Sequence, residues 1–377
     1  MDNKILNTLD DSLRQKALEP NHAKLIEEIS IKNYKSIKGL IKFPLHNINI
    51  LIGANGSGKS NFLSFFEFVK KENDYKSYFD FDNDRADDIL FLGRRNSEFL
   101  SGAVALSDQS FTGKGGKKFI AEDNRSLTCD AYVNMDLVSN FENEENYFEY
   151  AEGIDLAWEQ VSDNTTQYHF HDTSKWSPIL VDCMLNNNDM LLPNGKNIMP
   201  FVYRIYRENK QSYSMIVNAI RSCVDDFHDF YIRKNINSDD MVRLEWQHKR
   251  DLGEPKHGKL LSDGSLRIIC LIVLLLQPIE WVPKLVIIDE PELGMNPKAL
   301  SLIAELIKQI SPQKQFIIAT QSPELINLFN HEDIIVCDKN EDSSSSFTRL
   351  DAEKLQSWLD DYTVADLWQM NIIGGQK

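Results

Sequence analysis

Residues Gly53-Ala54-Asn55-Gly56-Ser57-Gly58-Lys59-Ser60 carry the spacing G-x-x-x-x-G-K-[ST]. This octapeptide is suited to holding phosphate. Its glycines let successive backbone N–H groups turn inward around anionic oxygens. A helix starting at the lysine aims its positive end at the same anion. Lys59 then reaches the β- and γ-phosphates, and the Ser60 hydroxyl is placed to bind Mg2+. The expected cradle for ATP is therefore Gly53, Ala54, Asn55, Gly56, Ser57, Gly58, Lys59, Ser60 and the following Asn61, with Mg2+ as the accompanying ion.

A second group of reactive residues follows the apolar run Leu285-Val286-Ile287-Ile288, which ends in Asp289-Glu290-Pro291. A continuous apolar run suits a strand buried on both faces. At its tip Asp289 is placed to enter the Mg2+ shell, and Glu290 to orient and deprotonate an attacking water. An Asp-Glu pair after a strand can equally be a simple turn. Together with the phosphate loop it points to hydrolysis, with Glu290 and Lys59 as expected catalytic residues and Ser60 and Asp289 as the expected metal ligands. A third segment, Leu261-Ser262-Asp263-Gly264-Ser265-Leu266-Arg267, precedes the apolar stretch Ile268–Leu276. Small polar residues at a helix start serve either as an N-cap or as a γ-phosphate contact, which makes Ser262, Gly264 and Ser265 candidates for the nucleotide site.

The elements needed to position these residues are visible in the periodicity. Alternation from Ile29 to Phe43 predicts a strand pair around Asn33-Tyr34-Lys35-Ser36, and Ile48–Ile52 a further strand ending at the phosphate loop. Asn61–Val69 has helical apolar spacing. Short alternating segments between Ile89 and Gln160, such as Ala131-Tyr132-Val133 and Phe148-Glu149-Tyr150, predict an antiparallel subdomain. Asn186–Pro200 reads as a loop, Phe201–Phe230 as helix, and Ser343–Ser346 as a mobile hairpin tip. The expected fold is α/β with a mixed sheet and an inserted, mainly helical lid. Its divisions are a polar extension over 1–24, an N-terminal lobe over 25–130, the lid over 131–254, a C-terminal lobe over 255–340 and a packed tail over 341–377.

Composition narrows the function. Of 377 residues 42% are hydrophobic and 26% charged, as in folded globular proteins. A net charge of −16 makes the chain a poor general coat for nucleic acid. Short basic clusters (Lys114, Lys117 and Lys118, or Arg94 and Arg95) are either solvated turns or part of a local groove. The scattered cysteines form no C-x-x-C pair and suit a reducing cytoplasm. Met1–Glu19 lacks the apolar core of a secretory signal, and the nine residues Ile268–Leu276 are too few to span a bilayer. The expectation is a cytoplasmic protein with no membrane partner and no sustained heptads. His169 and His171 read either as a packing block or as metal ligands, and Asp225, Asp226, His228 and Asp229 either as a solvated helix end or as a nuclease site.

In this order the motifs resemble ABC-class ATPases, specifically RecF/SMC-like bacterial AAA family ATPases that lack a long coiled coil and often accompany defence genes. Leu261–Arg267 is similar to their signature segment, and Asn33-Tyr34-Lys35-Ser36 to the block that places Lys35 and Ser36 beside the nucleotide. Pro291-Glu292-Leu293-Gly294-Met295-Asn296-Pro297 resembles the loop after the acidic strand, and Ala319-Thr320-Gln321-Ser322-Pro323 the switch block, which implies that Gln321 joins Glu290 and Lys59 in the catalytic set. Tyr168–Ser174, Leu244-Glu245-Trp246 and the tail Leu367–Gly375 resemble one subfamily. The resemblance implies a homodimer or higher homo-oligomer that buries ATP under the partner's Ser262-tipped helix. It also implies a protein effector, a nuclease or toxin, in phage defence or DNA maintenance. Two positions depart from the pattern: Gln321 and Asn296 stand where histidines are usual. Gln donates a hydrogen bond but cannot carry the proton, which implies slow turnover or nucleotide-gated binding without it. The usual Q-loop glutamine has no clear counterpart.

Overall fold

The computed structural model describes residues 24–75, 79–80, 86–97, 99–106, 114–121, 126–132, 151–174, 176–233, 240–351, 355, 358 and 361–376. Contacts divide the chain into two compact units. One holds residues 168–283 and 290–312, and the other holds 22–167, 284–289 and 313–377. The segment expected as an insert contributes to both, since residues up to 167 go with the second unit and 168–254 with the first.

The second unit is built on two six-stranded sheets. The first is antiparallel. Its strands β1 (Ile26–Tyr34), β2 (Ile37–Pro44), β4 (Phe99–Leu106), β5 (Lys114–Ala121) and β6 (Ser126–Tyr132) run in the order β2-β1-β4-β5-β6, with Phe79–Asp80 at the far edge. The expected pair around Asn33–Ser36 is β1 and β2. The second sheet contains β3 (Ile48–Ile52), β7 (Thr165–Tyr168), β11 (Leu285–Asp289), β12 (Gln315–Thr320), β13 (Ile334–Lys339) and β14 (Ser345–Arg349), ordered β14-β13-β3-β12-β11-β7. Strands β13, β3, β12 and β11 are parallel. Their apolar runs are buried on both faces, as parallel strands require.

The core of this unit includes a continuous apolar cluster. Helix α1 (Lys59–Tyr75) contributes Phe62, Leu63, Phe65, Phe66, Phe68 and Val69. These meet Leu51, Leu285, Ile287, Ile317 and Ile335 from the parallel strands, Ile29, Ile31 and Tyr34 from the antiparallel sheet, and Trp158 of α2 (Ala151–Asn164). A buried polar side chain helps to link the sheets. Gln315, fully buried, accepts from the N–H groups of Leu25 (3.2 Å) and Ile26 (3.0 Å) and donates to the carbonyls of Ile26 (2.8 Å) and His46 (3.0 Å).

In the first unit, helices α3 (Ile198–Glu208), α4 (Lys210–Cys223), α5 (Asp263–Leu276) and α6 (Pro297–Ile310) accompany a three-stranded antiparallel sheet of β8 (Phe227–Phe230), β9 (Glu245–His248) and β10 (Asp251–His257). The run Ile268–Leu276 is helical and buried throughout, packed against α4 and α6. No helix among the described residues is long and apolar enough to cross a membrane.

Two expectations need correction. Phe201–Phe230 is not one helix. Asn209 leaves helical geometry (φ −140°, ψ 85°), its side chain caps α4 by accepting from Ser212 N–H, and Phe227–Phe230 is a strand. Asn competes for backbone hydrogen bonds and so favours caps over helix interiors. The serine run is only half a hairpin tip, since Ser343 and Ser344 lie in the turn between β13 and β14. Ser345 and Ser346 belong to β14, and Ser345 is buried. Met1–Ala23 and Phe148-Glu149-Tyr150 lie outside the described residues, as do the side chains of Lys114, Lys117 and Lys118. Arg94 is engaged with Asp87 through its N–H and its Nε.

Replacing Gln315 by Leu keeps the volume but leaves two buried N–H groups and two carbonyls without this partner. The expected loss of stability is about 3 kcal/mol, read as a lower urea midpoint at unchanged slope.

Candidate nucleotide-binding site

The loop Gly53–Gly58 joins β3 to α1, so it leaves the carboxyl end of a central parallel strand and feeds a helix N-terminus. In open parallel sheets this is the edge where ligands sit. Register places other residues at the same edge. Asp289, the last residue of β11, pairs with Ala319 of β12, and Ala319 pairs with Leu51 of β3.

The loop's shape is enforced from its flank. Gly58 has φ 111°, and a methyl there would collide with Ser345 Oγ and lie 3.0 Å from Ser36 Oγ. Ser36 and Ser345 therefore form a wall against the loop. Their hydroxyls are 2.7 Å apart, Asn61 Nδ2 donates to Ser36 Oγ at 2.8 Å, and Ser345 N–H donates to the Ser36 carbonyl at 2.7 Å. Lys59 is 6% exposed, and its Nζ donates to the carbonyls of Gly53 (2.6 Å) and Ala54 (3.0 Å). This folds the ammonium over the loop. Burial pushes the neighbouring Cys337 thiol up, outweighing the opposing pull of Lys59, so it stays uncharged.

The residues present fit a polyphosphate. Ser57 is fully buried and its Oγ has no hydrogen-bond partner among the described residues, while Asn55, Gly56 and Ser60 face outward. Lys59 supplies a cation at the loop, and the backbone N–H groups of the first turn of α1 have no intrahelical acceptors. Gln321, just past the end of β12, donates from Nε2 to Asn55 Oδ1 at 2.8 Å, which ties the switch block to the loop. Lys35 takes a different course. In left-handed backbone (φ 49°), it donates from Nζ to Ser64 Oγ on α1 at 3.0 Å and lies over the Tyr34 ring. Of the Asn33–Ser36 block, Ser36 is therefore the residue set against the Gly53–Gly58 loop.

In the first unit, Ser262 is the N-cap of α5. Its Oγ accepts from Ser265 N–H at 3.2 Å and lies 2.8 Å from Ser265 Oγ. Gly264 leaves room for the loop after the acidic strand, since a methyl there would collide with the Gly294 carbonyl. Arg267, one turn further along, donates to the carbonyls of Phe170 (3.2 Å), His171 (2.7 Å) and Leu293 (2.8 Å). The Tyr168–Ser174 block thus serves the helix through its backbone. Glu290 opens the turn in left-handed geometry (φ 42°), which is unfavourable for a side-chain-bearing residue by about 1 kcal/mol. Asn296 caps α6, with Oδ1 accepting from Ala299 N–H at 2.9 Å. Asn is among the best N-caps, so this departure from histidine has a structural use here.

Sequence reasoning gave no role to Ser345 or Arg267. Ser345 sits in a polar run that resembles any turn, far from the loop in sequence. Arg267 was visible as a lone cation opening an apolar helix, a hint that its charge must be paired.

Residues 48–327 match the model of a protein family described as "AAA domain, putative AbiEii toxin, Type IV TA system". The chain belongs to that family. A solved SmcHead bound to the C-winged helix domain of ScpA superposes with a TM-score of 0.61 at 17% identity, over 88% of this chain and 99% of that one. A Smc head domain with an extended coiled coil, bound to the C-terminal domain of ScpA derived from Pyrococcus furiosus, gives 0.56 at 16% identity, over 89% and 99%. The fold is therefore that of an SMC head, an ABC-type P-loop NTPase fold, as the motifs implied. Membership and fold together support nucleotide binding.

Removing the Arg267 guanidinium leaves three carbonyls without their donor. Arg267→Ala is expected to lower stability by about 1–3 kcal/mol, measured by urea titration, and to speed amide exchange in residues 290–295.

Proposed function

We propose that the chain is a Mg2+-dependent ATPase whose nucleotide sites are completed by dimerisation and which controls a protein effector. The observation that carries this reading is the walled loop, with Gly58 closed against Ser36 and Ser345 and Lys59 held over the loop carbonyls. In this reading the loop amides and Lys59 grip the β- and γ-phosphates. Ser60 and Asp289 would hold Mg2+, which when bound neutralises charge on the phosphate oxygens. Glu290 orients the attacking water and takes its proton. Gln321 contacts the γ-phosphate as a neutral donor. A second copy presents Ser262, Gly264 and Ser265 at the tip of α5, closing a two-fold sandwich.

ATP would then favour the closed pair and hydrolysis the open one, so that occupancy sets a conformational population. The output is control of a nuclease or toxin in phage defence or DNA maintenance. The AbiEii toxin in the family's description and the ScpA domain bound to the similar Smc heads both support a protein partner. The high negative charge argues against broad nucleic-acid coating.

A second reading, a nucleotide-gated scaffold with little hydrolysis, is favoured by the glutamine at position 321, already bonded to Asn55. Steady-state phosphate release separates the two. Glu290→Gln is expected to cut the rate by at least about a hundredfold and to accumulate an ATP-bound dimer in light scattering. Equal, near-zero rates in wild type and variant select the scaffold. Lys59→Ala is expected to weaken ATP binding by about a hundredfold in titration calorimetry. Ser262→Arg should leave binding to the monomer intact and prevent dimer closure, and a Ser262→Arg chain that still dimerises with ATP would refute the role across the two-fold axis.

A further inference from the structure

Residues 363–375 are built against the phosphate loop. Helix α7 (Val364–Gln369) starts at Thr363, whose Oγ1 accepts from Asp366 N–H at 3.2 Å while Asp366 Oδ2 accepts from Thr363 N–H at 2.9 Å. It packs on the short helical turn Pro323–Ile326, which begins two residues after Gln321. Leu367, Leu325 and Ile326 are fully buried, and Ala365 N–H donates to Asn327 Oδ1 at 3.1 Å. The chain then turns back through Gly374 and Gly375, both at φ 81°. There the Gly375 carbonyl accepts from Ala54 N–H of the loop at 2.7 Å and from Trp368 Nε1 at 3.2 Å, while Gly375 N–H donates to Asp338 Oδ1 at 2.8 Å. Side chains are excluded at both glycines. A methyl at Gly374 would collide with Asp338 Oδ2, and one at Gly375 would lie 2.9 Å from Trp368 Nε1 and 3.0 Å from Val336 Cγ1.

We infer that residues 363–375 are a positioning element of the nucleotide site, coupling the docking of the C-terminal segment to nucleotide binding. The physical basis is that one segment fixes both loops facing the phosphates. Its helix seats the turn behind Gln321, and the Gly375 carbonyl holds the second residue of the cradle. Ala54 N–H is directed to that carbonyl, which sets the path of the chain into Asn55, the residue that Gln321 grips. Two donors on one carbonyl make the contact directional. Linkage is reciprocal. If the docked segment raises nucleotide affinity, bound nucleotide must stabilise the docked segment by the same factor.

This inference rests on the nucleotide-binding reading, and the test separates the two. The probe is the non-hydrolysable analogue AMP-PNP with Mg2+, titrated into the full chain. Gly375→Val forces a side chain into the Trp368–Val336 gap, and Trp368→Phe keeps the ring while removing one donor. Dissociation constants are expected to rise about tenfold for Gly375→Val and about threefold for Trp368→Phe, with wild-type exchange of amides 363–376 slowing about tenfold at saturation. A purely structural segment would not show that nucleotide-dependent protection. Wild-type affinity in Trp368→Phe together with exchange indifferent to AMP-PNP overturns the coupling alone. A wild-type chain that binds no AMP-PNP overturns the nucleotide reading and this inference with it.

Discussion

Parallel pairing of β11, β12 and β3 is the constraint on which the site depends. Each strand is an apolar run that must be buried on both faces, and in a parallel sheet such strands end on a common edge. The register carries Asp289, Thr320 and Gly53 to that edge together. The candidate site residues lie at or just beyond the strand ends, where the backbone leaves the sheet and can bend. Loss of this register would part Asp289 from the strand end that feeds the Gly53–Gly58 loop.

Polar side chains do the work that loops cannot do alone. Gln315 joins the antiparallel and parallel sheets from within the core. Ser36 and Ser345 close the side of the phosphate loop with two hydroxyls, and Arg267 binds three carbonyls around the start of α5. In each case a buried or half-buried donor meets backbone or hydroxyl partners at good distance, where the low dielectric strengthens the contact. These contacts are why a Gly-rich loop and a small-residue helix tip keep one conformation.

The two positions where histidine is usual follow a common logic. Asn296 and Gln321 are neutral amides with both donor and acceptor capacity. Asn296 spends its oxygen on the cap of α6, and Gln321 its N–H on Asn55. Neither amide titrates near neutral pH. The amides trade proton chemistry for fixed geometry.

Much of the fold was legible because its signals are local. The phosphate loop, the strand before it, the acidic strand end, the apolar helix and the strand pair around Asn33–Ser36 each fit within a window of a few residues, and each formed as expected. Helix punctuation was less legible. Asn209 breaks what reads as one periodic segment, because capping competes with propensity at a single residue. What only tertiary structure decided were the partnerships between distant segments: Ser345 against Gly58, Gly375 against Ala54, Gln315 against Leu25 and Ile26, and Lys35 turned to Ser64. Serines, glycines and glutamines carry little signal by themselves, since the same residues serve in any turn. Their roles depend on which chain segments the buried strands bring together, and that is set by long-range pairing and not by local preference.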